Sequence, residues 1–400
     1  MPVEVLETGR QVDTSIELFA GAGGMALGVA RAGFEHVALN EIDPFACQTL
    51  RDNGGWPVME ADSRDITWTP FGGKVELLSG GAPCQPFSVG GLALGDNDHR
   101  NLFPELVRAV REVRPQAVLV ENVRGLGRPA FAGYLAYVLE WLRVPHVKAS
   151  PGESWERHRS RVRRAIRGGE GTYRVYGPQV VDAADFGVPQ SRQRLFVVAF
   201  RADVVDDGVW AWPEPTHSRD VLLWDQIHGP YWEAHGLRRR RPPTGRRKGS
   251  QALRDEIAAG ERPDGKRWRT LRDALDGLPD LRSAAAGAVD GHELVPTKAT
   301  TYHGHTGNVL DWPAKTVKAG AHGLPGGEGI VRLDNGRARR LTVRETARLQ
   351  TFPDDWRLAG SRSRALRQLG NAVPVVVAET LASAVRATLH QAHETTGGPR

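Results

Sequence analysis

The sequence predicts an α/β protein, a parallel sheet with helices on both faces and a smaller irregular domain inserted into it. Three observations predict this. Short apolar runs of strand length alternate with helical segments over roughly the first two hundred residues, the pattern of βαβ units. From 202 to 329 the periodicity weakens while Pro, Gly, Trp and Arg rise. Order then returns with a capping box, Thr342-Val343-Arg344-Glu345, and an apolar helix from about Val375 to His390. The predicted division is a first catalytic-type segment, 1–201, an inserted domain, 202–329, and a returning segment, 330–400.

Taken in order, Asp13 to Phe19 reads as a strand, and Ala20-Gly21-Ala22-Gly23-Gly24 turns into a helix from Met25 to Ala32. Glycines in such a turn let backbone N–H groups approach a ligand closely, although a plain tight turn uses them too. The second strand, His36 to Asn40, ends at Glu41 and Ile42, where an acid can accept hydrogen bonds from ribose hydroxyls. The turn lacks the G-x-G-x-x-G spacing of a dinucleotide fingerprint, which points to a smaller adenosine ligand. A helix opened by Pro44 runs to Gly54 and carries Cys47 as a buried small hydrophobe. A third strand ends at Asp62 and Ser63, where a carboxylate can meet an adenine amino group.

Val75 to Leu78 reads as a buried strand that delivers Gly80-Gly81-Ala82-Pro83-Cys84-Gln85-Pro86 to its C-terminal end, the end where open parallel sheets do chemistry. Prolines on both sides restrict the backbone that holds Cys84. These residues alone also fit a structural loop with an inert thiol. A helix from Pro104 to about Val113 leads to the strand Ala117 to Val120, closed by Glu121-Asn122-Val123. Glu121 at a buried strand end is placed to have its pKa raised, unless it merely caps the next turn. Before a last strand, Leu195 to Phe200, Arg192 and Arg194 alternate with Ser191 and Gln193, so an extended backbone turns both to one side.

The chain has 400 residues, 40% hydrophobic and 25% charged, as in ordinary soluble proteins. Two cysteines exclude a disulfide framework, no leader-like start is present, and no run reaches ~18 apolar residues. A cytoplasmic protein away from membranes is the expectation. The net charge of +6 suggests an anionic partner. Arg157, Arg159, Arg161, Arg163, Arg164 and Arg167 fall on one helix, and Arg238 to Arg241 with Arg246, Arg247 and Lys248 form a second basic run; either also fits a solvated face.

With these pieces in order the chain resembles the DNA (cytosine-5) methyltransferases of bacterial type. Phe19-Ala20-Gly21-Ala22-Gly23-Gly24 is similar to the family's cofactor loop, Pro83-Cys84-Gln85 to its catalytic loop, Glu121-Asn122-Val123 to its glutamate motif, and Gln190-Ser191-Arg192-Gln193-Arg194 to its arginine motif. Arg340 to Pro353 resembles the motif that organises the recognition domain, and Gln368-Leu369-Gly370-Asn371 the one that closes the cofactor pocket. The resemblance implies a Rossmann-like S-adenosylmethionine methyltransferase sheet with an inserted target-recognition domain, acting on a flipped cytosine in double-stranded DNA.

Cys84 is then expected as the nucleophile, Glu121 and Arg194 as base-holding groups, and Arg192 beside them. Phe19, Ala20, Gly21, Gly23, Gly24, Glu41, Ile42, Asp62, Ser63, Pro83 and Asn371 are expected around S-adenosyl-L-methionine, with no metal. A restriction-modification setting with a cognate endonuclease, and a monomeric state, come with the resemblance. Ala82 stands where the family often has proline, and the basic stretch from Lys148 to Glu170 is longer than expected; DNA phosphates are its expected contact. An RNA-directed relative, an inactive DNA-binding relative and a nicotinamide-dependent oxidoreductase are the competing readings.

Overall fold

The computed structural model describes residues 12–83, 101–240, 250–296, 299, 306–319 and 327–396. Cys84 and the rest of its loop to residue 100, and Lys248 with most of the second basic run, lie outside the described residues. In chain order come β1 (Thr14–Leu18), α1 (Gly24–Arg31), β2 (Glu35–Glu41), α2 (Pro44–Gly54), β3 (Val58–Glu60), β4 (Leu77–Gly80), α3 (Phe103–Val113), β5 (Ala117–Val123), α4 (Ala132–Arg143), α5 (Trp155–Arg167), β6 (Tyr173–Asp182), β7 (Gln190–Ser191) and β8 (Gln193–Arg201). Seven strands form one sheet in the order β3-β2-β1-β4-β5-β8-β6. The first five are parallel, and β8 runs antiparallel between β5 and β6. The order reverses between β1 and β4, which opens a crevice at their C-terminal ends.

The strands read as apolar runs because both sheet faces are covered. One face packs Leu78, Val118 and Val120 against Leu106 and Val110 of α3, Leu135 and Val138 of α4 and Val162 of α5. The other packs Leu119, Val198 and Phe200 against Met25 and Val29 of α1 and a long C-terminal helix. Gly28 permits the α1 contact: a Cβ there would lie 2.5 Å from the Ala378 Cβ and 2.6 Å from the Val375 carbonyl oxygen.

Helix α5 belongs to this first layer. Trp155 sets its ring edge-on to Tyr134, 5.8 Å between centroids, and His158 is buried against Trp141. Arg159 and Arg163 both bind Glu140, and Arg161 binds Glu153. Half of the six arginines expected to meet DNA are therefore committed to carboxylates that brace the helix.

The remainder comprises β9 (His217–Ser218), α6 (Arg219–His228), α7 (Pro230–Ala234), α8 (Ser250–Ala259), β10 (Lys266–Arg267), α9 (Leu271–Leu275), β11 (Asn308–Val309), β12 (Ala314–Lys315), β13 (Ile330–Arg332), β14 (Ala338–Arg340), α10 (Val343–Leu349), α11 (Arg362–Asn371) and α12 (Val375–Thr396). This inserted region has small cores of its own, one around Leu222, Tyr231 and Trp232, another joining Leu271, Leu310, Val331 and Leu349. Its edges are less sharp than the sequence suggests. Val205 and Trp210 pack with Phe200 in the main core, and β13, after residue 329, pairs with β11 before it. The helical stretch ending in α12 has the length and apolar composition of a membrane span, but Val377, Leu381, Val385 and Leu389 are spent in the core beside α1.

Candidate active site

Two loops and two strand ends meet at the crevice. After β1 the backbone turns through Phe19, which holds φ at 59°, a strained value for a residue with a side chain. Glu41 closes the turn from the next strand: its carboxylate accepts from the Gly21 N–H at 2.8 Å and from the N–H groups of Ile42 and Asp43. Phe19, Glu41, Ile42, Asp62, Ser63 and Pro83 line a cleft of about 230 Å3, joined by Asn40, Ala61, Arg64 and Leu102.

Ile42 lies 62% exposed on this rim, a large apolar side chain that a ligand ring can cover. Carboxylates at Glu41 and Asp62 between apolar walls suit an adenosine, with hydroxyls and an exocyclic amine to be bound and a flat ring to be enclosed. The residues present thus fit S-adenosylmethionine. Glu41 and Ile42 would face its ribose, Phe19 and Ile42 its ring. Asp62 is held ionised by the paired Arg64 guanidinium, which keeps its pKa below the usual carboxylate range.

Ala20, Gly21, Gly23 and Gly24 form the turn, and two of the glycines are also fixed by packing. A Cβ at Gly24 would lie 2.2 Å from the Val373 carbonyl oxygen, and one at Gly23 would meet Leu50 and Trp356. Gly24 is required by packing against the returning segment, and Gly23 by packing against Leu50 of α2 and Trp356. Asn371 ends α11 with its side chain exposed and is not among the residues lining the cleft.

Around the start of the Cys84 loop the geometry is tight. Asn122 donates from Nδ2 to the Ala82 carbonyl at 3.1 Å, and a Cβ on Gly81 would stand 3.1 Å from the Glu121 Oε2. The loop therefore leaves β4 pressed against the end of β5. Beyond it, Asn101 donates to the Tyr134 hydroxyl at 2.5 Å, fixing the entry to α3.

Glu121 is 8% exposed, and its Oε1 lies 2.9 Å from the Arg194 Nε. The pair arises from register: Val123 faces Arg194 and Glu121 faces Phe196 across β5 and β8, so Glu121 and Arg194 are diagonal neighbours on one face. Burial lifts the Glu121 carboxyl above its usual range, and the guanidinium groups of Arg194 and Arg192 pull it part of the way back.

Arg192 departs from the expectation that it shares a face with Arg194. It sits between β7 and β8, 1% exposed, and donates to the carbonyls of Val317, Gly370 and Ala372 at 2.8–2.9 Å. The strand is interrupted at that residue, so alternation does not carry across it. Its role here is to tie the sheet to the inserted and returning segments. Cys47, by contrast, is inert as expected: burial pushes its thiol up to about 12, and its Sγ rests on the Glu41 carbonyl.

Sequence reasoning missed Asn40, Arg64, Leu102 and Asn122. Asn40 donates to the carbonyls of Met59 and Ala61 and so fixes the end of β3; its place beside Glu41 at the strand end was the available signal. Asn122 stood inside the glutamate motif, but its grip on Ala82 is a tertiary contact with no local mark.

The sequence pattern of the family described as C-5 cytosine-specific DNA methylase matches residues 14–143 and 168–387, passing over a stretch that contains α5. The chain is similar to the Type II methyltransferase M.Eco47II of Escherichia coli, 34% identical over 373 residues that span 92% of this chain and 77% of that one. It is likewise 34% identical to the Type II methyltransferase M.NgoMIV of Neisseria gonorrhoeae, over 92% of this chain and 95% of the relative. Its fold resembles that of a putative DNA modification methyltransferase encoded within an E. coli prophage, with TM-score 0.54, 23% identity, and 94% and 99% of the two chains covered. It also resembles the S. pombe Dnmt2 methyltransferase, with TM-score 0.55, 17% identity, and 95% and 99% covered.

Proposed function

The chain belongs to the C-5 cytosine-specific DNA methylase family, S-adenosylmethionine-dependent enzymes that act on DNA, and we propose that it methylates a flipped cytosine through a covalent bond from Cys84 to C6 of the ring. The observation that carries this reading is the junction of β4 and β5. Asn122 holds the carbonyl two residues before Cys84 while Gly81 lies against Glu121, so the thiol's loop is anchored beside the buried carboxyl and Arg194.

Carbon C5 of cytosine is a weak nucleophile, and a thiolate adding at C6 releases ring electrons toward C5. Cys84 forms that S–C6 bond; an unperturbed thiol has a pKa of about 8.5, so its reaction as thiolate needs local help. Glu121, kept protonated to higher pH by burial, donates to the N3 edge and accepts from the N4 amine. Arg194 supports the O2 side, where negative charge develops. The bound S-adenosylmethionine supplies the methyl group. A water molecule then takes the C5 proton and the N3 proton returns to Glu121, so the ring double bond is restored as the C6–S bond breaks and Cys84 leaves as thiolate. Within a duplex none of these groups can reach C5 or C6, so the base must leave the stack.

Residues 202–329, the inserted region, read the flanking sequence in this account. The Type II designation of the relatives supports a restriction-modification setting with a cognate endonuclease. Bisulfite sequencing of DNA from cells expressing the chain tests the reading. Protected cytosines within one recurring sequence are expected, and full conversion everywhere would overturn it.

A further inference from the structure

The family pattern stops at residue 143 and resumes at 168, so helix α5 lies wholly outside it. Yet α5 closes over a face of α4 that carries three aromatic rings, Tyr134, Tyr137 and Trp141. Trp155 sets its ring 5.8 Å from Tyr134 and 5.6 Å from Tyr137, and the His158 Nδ1 meets the Tyr137 hydroxyl at 2.7 Å. All three rings of α4 are buried, none more than 7% exposed.

Tyr134 also reaches the cofactor cleft, through its neighbours. Its hydroxyl accepts from the Asn101 Nδ2 at 2.5 Å, while the Asn101 Oδ1 accepts from the Phe103 N–H at 3.3 Å. Both ends of that amide are engaged. The Phe103 ring, 2% exposed, stands edge-on to Tyr134 with 6.3 Å between centroids. Between these two residues lies Leu102, which lines the cleft that fits S-adenosylmethionine. Leu102 precedes α3 as its N-cap, with φ at −105° and no capping side chain, so its place depends on its neighbours. The residue before it and the residue after it both rest on Tyr134.

We propose that Tyr134, seated by Trp155 of α5, is a positioning residue for the cofactor site: through Asn101 and Phe103 it holds Leu102 as a preformed wall of the cleft. A wall fixed before the ligand arrives needs no ordering on binding, so its contact counts toward affinity. No residue of α5 lines the cleft, and the helix acts on it only through Tyr134. An element outside the family pattern thereby supports the site that the pattern defines. This inference rests on the reading of the cleft as the S-adenosylmethionine site.

The test is a titration of the full chain with S-adenosylmethionine in the absence of DNA, beside thermal unfolding of each variant. Tyr134→Phe keeps the ring and removes the hydroxyl. It is expected to weaken cofactor binding about two- to tenfold, the worth of one net hydrogen bond, with an unfolding midpoint lowered by no more than a few degrees. Trp155→Ala should weaken binding as well, and Trp155→Phe, which restores a ring against Tyr134, should recover most of it. Arg163→Gln loosens α5 at its Glu140 contact, away from Tyr134, and should leave cofactor affinity unchanged. Wild-type affinity in Tyr134→Phe would overturn the proposal, as would losses in Arg163→Gln or Trp155→Phe as deep as in Trp155→Ala. If Trp155→Ala does not fold, Tyr134→Phe against Arg163→Gln carries the same measurement. Wild-type chain that binds no S-adenosylmethionine would instead overturn the reading of the cleft beneath.

Discussion

At the scale of single residues the site depends on a carboxyl that is buried and yet tethered. Glu121 has Arg194 at 2.9 Å and Gly81 against its other oxygen, so its orientation is set before any base arrives. Replacing it by Gln keeps the shape and removes the titratable proton. Glu121→Gln is expected to lower kcat by roughly 10²- to 10⁴-fold, the usual worth of a positioned acid or base, with little change in S-adenosylmethionine affinity. Single-turnover methylation and a cofactor-binding titration check the two halves. A variant retaining full turnover would remove Glu121 from the chemistry. Asn122 illustrates why a motif understates its own function: the residue beside Glu121 also holds the backbone carbonyl two residues before Cys84.

At the scale of elements, β2 carries a pH-dependent stability of its own. His36 is 3% exposed, with Nε2 against the Ala26 carbonyl of α1 and Nδ1 against the Ser15 hydroxyl. Burial lowers its pKa from 6.5 to about 4, although the Ala26 carbonyl resists this. Between those values the unfolded chain binds a proton that the folded chain refuses. The contribution is therefore complete above about 6.5 and lost as pH falls toward 4, amounting to about 3 kcal/mol. Urea unfolding across that range should show stability rising with pH, and His36→Phe should flatten the rise; an equal slope in the variant would contradict the assignment.

Helix α5 is the other element with a distinct account. Its arginines look like a nucleic-acid face in sequence, yet Glu140 and Glu153 take three of them, and Trp155 seats the helix on Tyr134. Sequence periodicity shows which face is charged but not which acids stand opposite it.

At the scale of the molecule, one arginine joins parts far apart in the chain. Arg192 reaches Val317 in the inserted region and Gly370 and Ala372 before α12. Arg192→Met is expected to strand these three buried carbonyls and cost at least about 3 kcal/mol in denaturant unfolding. A loss below 1 kcal/mol would mean that the tie is not structural.

The same arginine marks the limit of what the sequence made legible. Strands β1, β4, β5 and β8 were readable because burial on both faces leaves apolar runs, and the Thr342 capping box is present as expected. Edge strand β6, with four intermediate and four exposed positions around Gly177 and Pro178, has no such run. Helix α11 is rich in Arg and polar residues and escaped for the same reason. Glycines invited a ligand reading, whereas Gly24 answers to Val373, some 350 residues later. Residues whose partners are local or set by strand register were visible, and those whose partners come from the returning segment were not.

The central claim is that Cys84 becomes covalently joined to the target base. Duplex DNA carrying 5-fluorocytosine, which has no C5 proton to lose, traps such a bond when incubated with the chain and S-adenosylmethionine. The account predicts a denaturant-resistant protein–DNA adduct at Cys84, absent from Cys84→Ser although that variant still binds cofactor. Methylation of ordinary DNA by Cys84→Ser, or an adduct at another residue, would contradict it.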